Sequence, residues 1–192
     1  MGMLILGLVL FLGVHSTRIV ADGWRTAMIG RAGLNAWKGG YALLSIVGFV
    51  LLVWGFGLAR QQPVQLWSPP VGMRHLAALL TLVAFILLVA TYVPRNAIKA
   101  RLHHPMLLSV KVWALAHLLA NGNLAHGVLF GAFLVWAVLC FRAARARDRA
   151  ARTVYPAGTA AGTAITVVVG IAAWAVFAFW AHGLLMGIRP IG

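Results

Sequence analysis

Residues 38–60 read KGGYALLSIVGFVLLVWGFGLAR, 21 residues without a charged side chain between Lys38 and Arg60. A hydrocarbon slab about 30 Å thick is crossed by a helix of about 20 apolar residues. Only a helix satisfies its own backbone groups there, because no water is present to do so. Working outward, the same test is met at residues 2–20, 75–93, 124–141 and 163–186. A sixth run, MLLSVKVWALAHLLA after Pro105, is apolar but interrupted by Lys111 and His117. It counts as a span because an even number makes the charge pattern consistent. The expectation is therefore an all-α polytopic bundle of six transmembrane helices forming one domain over residues 1–192.

Composition agrees. The chain is 62% hydrophobic and 9% charged, with a mean hydropathy of +0.94, whereas a soluble domain carries about 25% charged residues. A net charge of +14 would suggest a nucleic-acid partner in a soluble protein. Here the cations cluster in short segments between apolar runs, so the sequence points to membrane lipid and not to nucleic acid. The first, third and fifth loops hold 12 Lys and Arg, and the segments on the other side hold 3. The positive-inside rule puts the odd loops in the cytoplasm and both termini on the outer side of the membrane. The first run has no basic n-region and no small-residue cleavage site, so it reads as a retained helix and not a signal peptide. The Arg- and Ala-rich segment 142–152 reads as a basic continuation of the fifth helix. Gly158, Gly162, Thr166 and Gly170 recur every four residues on the sixth. Such a stripe serves either packing within the chain or a homodimer.

Ionisable groups inside spans are costly and therefore informative. They are His15, Lys111, His117, His126 and His182, with Arg18, Asp22 and His75 at span ends and His103 and His104 in the third loop. His15, Arg18 and Asp22 recur at i, i+3 and i+7 and so share one face of the first helix. Lys111 then either pairs with Asp22 or snorkels to the headgroups. At 1.5 Å per residue, His15 lies about 10 Å and His117 about 18 Å above the cytoplasmic boundary, and their side chains lean toward each other. Two neutral imidazoles facing across an apolar space suit the axial positions of a haem iron, although a hydrogen-bonded packing role is the plainer reading. Arg74 beside His75 offers a carboxylate or propionate partner. Cys140 is the sole cysteine, which excludes an intramolecular disulfide or a Cys-based cluster. Two acids in the chain leave little room for a hydrolase built on carboxylates.

The first-helix VHSxR at 14–18, RHL at 74–76, KARLxHPM at 99–106 and WALAHLLANG at 113–122 together resemble the NnrU family of bacterial membrane proteins, over roughly residues 4–140. The resemblance implies association with nitrite and nitric oxide reduction in denitrifying bacteria. The family is also similar to 15-cis-zeta-carotene isomerase, a membrane enzyme that uses haem b. That likeness implies haem b held by His15 and His117 as axial ligands. By their own placement and charge, His75, Arg18 and Arg74 are weaker cofactor-binding positions. The isomerase carries a cysteine three residues before its second histidine, where this chain has Ala114.

Three functions are open on these grounds. The first is a haem-b-binding accessory or sensor protein of denitrification. The second is a haem-dependent isomerase of a hydrophobic polyene, and the third is a cofactor-free transporter using buried histidines.

Overall fold

The structure, a computed structural model, describes residues 1–191. Four helices are long and apolar enough to cross a membrane: α4 (Leu34–Gln61), α5 (Gly72–Tyr92), α8 (Leu124–Ala150) and the last, Ala160–Met186. The last runs through α9 (Ala160–Val176), a π-turn at Phe177–Ala181 and α10 (His182–Met186). Two further apolar helices, α1 (Gly2–His15) and α7 (Pro105–Ala120), are 14 and 16 residues long. At 1.5 Å per residue they reach about 21 and 24 Å, short of a 30 Å slab. Of the six spans expected, four thus have helices long enough to cross, and the other two segments form shorter apolar helices. No strand occurs among the described residues, only isolated bridges at Gln65–Asn123 and Asn96–Thr159.

The first helix is shorter than residues 2–20. Ser16 Oγ donates to Leu12 O at 2.7 Å and Thr17 Oγ1 to Val14 O at 2.6 Å. The chain then breaks into α2 (Thr17–Val20) and α3 (Asp22–Ala32), with Ala21 outside helical geometry. Hydroxyls that back-bond in this way compete with the helix ladder, and Arg18 and Asp22 fall beyond the end of α1. The single face expected for His15, Arg18 and Asp22 is therefore broken. Asp22 instead meets Arg18 at 3.7 Å and Arg25 at 3.8 Å. Lys111 lies over the Phe141 ring at 4.4 Å in a cation–π contact, so of its two expected alternatives the pair with Asp22 is not made.

Helices pack in the order α4, α1, α8, α7, α5, α9. The α1–α4 contact is backbone on backbone: a Cβ at Gly7 would overlap Leu52 and one at Gly55 would overlap Leu4. Small residues allow this approach, which is how helices associate where no hydrophobic effect drives them together. Leu4 and Leu8 are consequently buried with Leu52, Ala114, Leu129 and Phe130. Ser109 Oγ donates to Ala84 O at 2.7 Å, tying α7 to α5, and Trp174 Nε1 donates to Thr81 Oγ1 at 3.2 Å, tying α9 to α5. The outer shell is apolar: Leu43, Ile46, Val50, Val168 and Leu184 are more than half exposed. An apolar surface of this extent on helices of this length identifies a membrane protein.

The small-residue stripe is used inside the chain. Gly158 packs on Ala97, Gly162 on the Arg95 carbonyl and Gly170 on Ile86, and Thr166 is fully buried. A homodimer through Gly158, Gly162, Thr166 and Gly170 is therefore corrected to intramolecular packing, because α5 and the 94–97 segment already cover that face. The expected basic extension is present, since α8 continues as helix to Ala150.

Replacing Gly7 or Gly55 with Val should force α1 off α4 and cost about 1–3 kcal/mol or more of overpacking strain. Gly57→Ala, whose added Cβ meets nothing within 4 Å, should be neutral or mildly stabilising. Thermal unfolding of the three variants in one detergent, followed by size-exclusion profile, measures the difference.

Candidate functional site

Where α1 stops at His15, the bundle leaves a cavity of about 400 Å³ at its basic end. That size lies in the range of small-molecule and cofactor sites. His15 Nδ1 donates to Phe11 O at 2.7 Å. The proton therefore sits on Nδ1, and Nε2 carries the free lone pair. The imidazole is held among Phe11 at 4.3 Å, Tyr41 at 5.2 Å and Trp136 at 6.2 Å, ring centre to ring centre. Val14, Ile19, Leu34 and Leu107 give the cavity apolar walls, and Cys140 reaches it from α8. Its rim carries Arg18, Arg25, Lys38 and Arg147, and Arg147 Nη1 donates to Arg18 O at 3.4 Å. Asp22 is the one carboxylate paired with these cations. The site has the form of an imidazole in an apolar chamber closed by net positive charge, suited to a flat or elongated apolar molecule with anionic ends.

His117 is elsewhere. It is the twelfth residue beyond the start of α7, about 18 Å along the axis, whereas His15 ends α1. Its Nδ1 donates to Trp113 O at 2.8 Å, leaving Nε2 free as in His15. Its ring stacks on Phe130 at 4.4 Å. Between the two imidazoles run Phe11, Phe133 and Trp113, with Phe11–Phe133 at 6.0 Å and Phe133–Trp113 at 5.6 Å. The expected convergence at mid-depth is not found. Its premise was a first helix reaching residue 20, and the break at Ser16 lowers His15 to the end of the helix.

Of the weaker candidates, Arg18 lines the His15 cavity. Arg74 and His75 sit exposed in the first turn of α5, at the far end of the bundle, and line neither of its two described cavities. They are thus corrected as partners of His15. His126 and His182 also lie at that far end, His126 hydrogen-bonded to Asn123 and edge-on to Phe56, His182 to the Ile188 carbonyl. Ala114, where the isomerase has a cysteine, is fully buried in the core.

A second cluster lies beside the first. His104 precedes Pro105 at the start of α7, and its Nε2 donates to Asp148 Oδ2 at 2.8 Å. Tyr155 OH donates to the same oxygen at 3.0 Å. His103 Nδ1 lies 3.7 Å from it and Arg145 4.0 Å. His103, His104, Lys99, Thr91 and Tyr155 border a cavity of about 310 Å³ that shares Leu107 with the first. Sequence reasoning placed His104 in the third loop but missed Asp148 and Tyr155. The available signal was an acid retained within an arginine-rich segment.

Asp148 stands beyond the apolar part of α8, in turns bearing Arg142, Arg145, Arg147 and Arg149. Burial works to raise its carboxyl, but hydrogen bonds from Tyr155 and His104, with the charges of His104 and Arg145, outweigh it and hold it below the ordinary carboxylate range. Burial first, and then the bond to Asp148, push the Tyr155 hydroxyl up. A carboxylate depressed on folding contributes stability above its unfolded value of about 3.9, and the contribution is lost as pH falls through the folded value. Asp148→Asn should therefore melt below wild type from pH 8 to 5, and the two melting curves should converge as pH falls through the folded value.

The family model for NnrU protein matches residues 3–190 of the chain. Comparison with curated proteins and with solved structures gives no match. The matched region takes in both histidine helices, the Asp148 cluster and the final helix, and on this ground the chain belongs to the NnrU family.

Proposed function

We propose that this NnrU-family chain binds haem b in the His15 cavity and serves nitrite and nitric oxide reduction as an accessory or sensing component of the bacterial inner membrane. The observation that carries the reading is the chemistry of the cavity. Its imidazole is fixed as the Nδ1–H tautomer with Nε2 free, its walls are apolar and its rim holds four cations. Haem b has matching requirements: an axial nitrogen, apolar contact for the porphyrin faces and cations for two propionates.

The chain's own residues have definite tasks in this reading. Phe11 O orients the His15 ring, as outer partners of ligating histidines do. Arg18, Arg25, Lys38 and Arg147 hold the carboxylates at the basic surface. Trp136, Ile19 and Leu34 keep water from the ring faces. Bound haem would supply an iron able to take a small diatomic ligand. His117 is assigned a packing role against Phe130, which revises the axial pair His15 and His117 to His15 alone. The isomerase reading has no specific support in this cavity.

The chain is placed with six crossings, α1 and α7 being short ones, and with both termini periplasmic, on the basis of 12 cations against 3. A phosphatase joined after Arg60 should be active and one joined after Arg101 silent; the reverse would overturn the orientation.

Haem content and visible spectra of the purified protein test the cofactor directly. Expression with ample haem should give a red wild type. His15→Ala should lose most of its haem, and His117→Ala should retain it with an unshifted Soret band. Arg25→Glu with Arg147→Glu should weaken haem retention while leaving the protein folded. A colourless wild type, or loss in His117→Ala with retention in His15→Ala, contradicts the reading.

A further inference from the structure

The cluster around Asp148 has one feature that its hydrogen bonds leave unexplained. His103 Nδ1 is buried without a hydrogen-bond partner, 3.7 Å from a carboxylate oxygen that already accepts from His104 and Tyr155. His103 is also held at φ 66°, in the left-handed region that β-carbon residues avoid. Its ring lies against Tyr155 with centres 4.1 Å apart. With its proton on Nε2, this imidazole presents a lone pair to a negative oxygen, an unfavourable arrangement. Adding a proton at Nδ1 turns the same geometry into a charge-assisted donor.

We propose that His103, His104 and Asp148 form a proton-binding site that fastens the segment 151–159 onto the start of α7 when a proton is bound. The reaction is protonation alone: a solvent hydronium gives its proton to His103 Nδ1, an N–H bond forms, and the cluster gains one positive charge beside Asp148. Of the protein side chains, histidine is the one whose charge most readily follows pH, so occupancy of the site depends on pH.

The groups facing His103 set the balance. From α8 come Asp148, which favours protonation, and Arg145, 4.0 Å from the same carboxylate, which opposes it. From α6 (Ala97–Leu102) comes Lys99, whose Nζ is turned to the Thr91 carbonyl at 2.9 Å. From the segment itself comes Tyr155. Lys111 on α7 is set apart on Phe141, whose ring stands edge-on to His104 at 6.2 Å.

The mechanical consequence follows from connectivity. The segment is pinned at its far end, where Thr159 N donates to Arg95 O at 2.7 Å, and near its middle by Tyr155 on Asp148. His104 leads directly into α7, whose Leu107 forms a wall shared with the His15 cavity. Tightening the clamp fixes that wall. The inference does not depend on what the His15 cavity holds.

The chain has three tyrosines, Tyr41, Tyr92 and Tyr155, so full-length protein labelled with carbon-13 at tyrosine Cζ gives three resolvable positions in nanodiscs. Tyr155→Phe assigns the third. Between pH 8 and pH 6 the Tyr155 resonance should shift and become less broadened by a soluble gadolinium chelate, as the segment is fastened. Tyr41 and Tyr92 should stay unchanged. His103→Gln should abolish this change, and Asp148→Asn should leave Tyr155 accessible at every pH. If Asp148→Asn does not fold, His103→Gln decides alone. A wild-type Tyr155 signal that ignores pH, or His103→Gln titrating like wild type, overturns the proposal. A transition that appears only with added zinc and vanishes with EDTA also overturns it, in favour of a metal occupant.

Discussion

The backbone contact between α1 and α4 is the constraint on which the remaining arrangement rests. In lipid, apolar side chains gain nothing by leaving hydrocarbon for protein, so helices hold together through close packing and polar bonds. Gly7 and Gly55 bring the two backbones together and bury Leu4, Leu8 and Leu52. That contact fixes the level at which α1 ends, and the end of α1 is where the His15 cavity begins. Had α1 continued to residue 20, its next turn would have filled the space now bordered by Tyr41, Trp136 and Cys140.

Termination of α1 is a polar event. Ser16 and Thr17 each direct a hydroxyl to a carbonyl of the preceding turn, and Arg18 and Asp22 turn to one another and to Arg25 at the basic surface. The same residues give the cavity its opposing halves. The helix end contributes an imidazole tied to its own backbone, and the broken turn beyond contributes cations. Arg147 of α8 bonds to the Arg18 carbonyl and closes the ring from the other side. Charge and shape thus come from one local feature, a helix that stops five residues before its apolar run does.

Much of this was legible in the residues. The runs at 40–59, 75–93 and 124–141 appear as α4, α5 and α8, because 20 uncharged residues leave a chain in lipid few alternatives. The basic continuation of α8 and the membrane character of the chain were legible for the same reason. What failed was depth. Hydropathy does not register a hydroxyl that ends a helix from within, so the first helix was carried five residues too far and His15 paired with His117 across a space that Phe11, Phe133 and Trp113 fill. Lys111 was left open between Asp22 and the headgroups, because charge alone does not show that an aromatic ring stands 4.4 Å from it. Asp148 could be counted but not placed. Its meaning depends on His104 and Tyr155, 44 residues before and 7 after it in sequence.

The central claim is that a single protein imidazole, His15, faces the cofactor. Pulsed electron paramagnetic resonance on ferric protein labelled with nitrogen-15 at histidine counts the imidazole nitrogens coupled to the iron. The account predicts one, lost in His15→Ala. Two equivalent histidine couplings, one of them removed by His117→Ala, would contradict it.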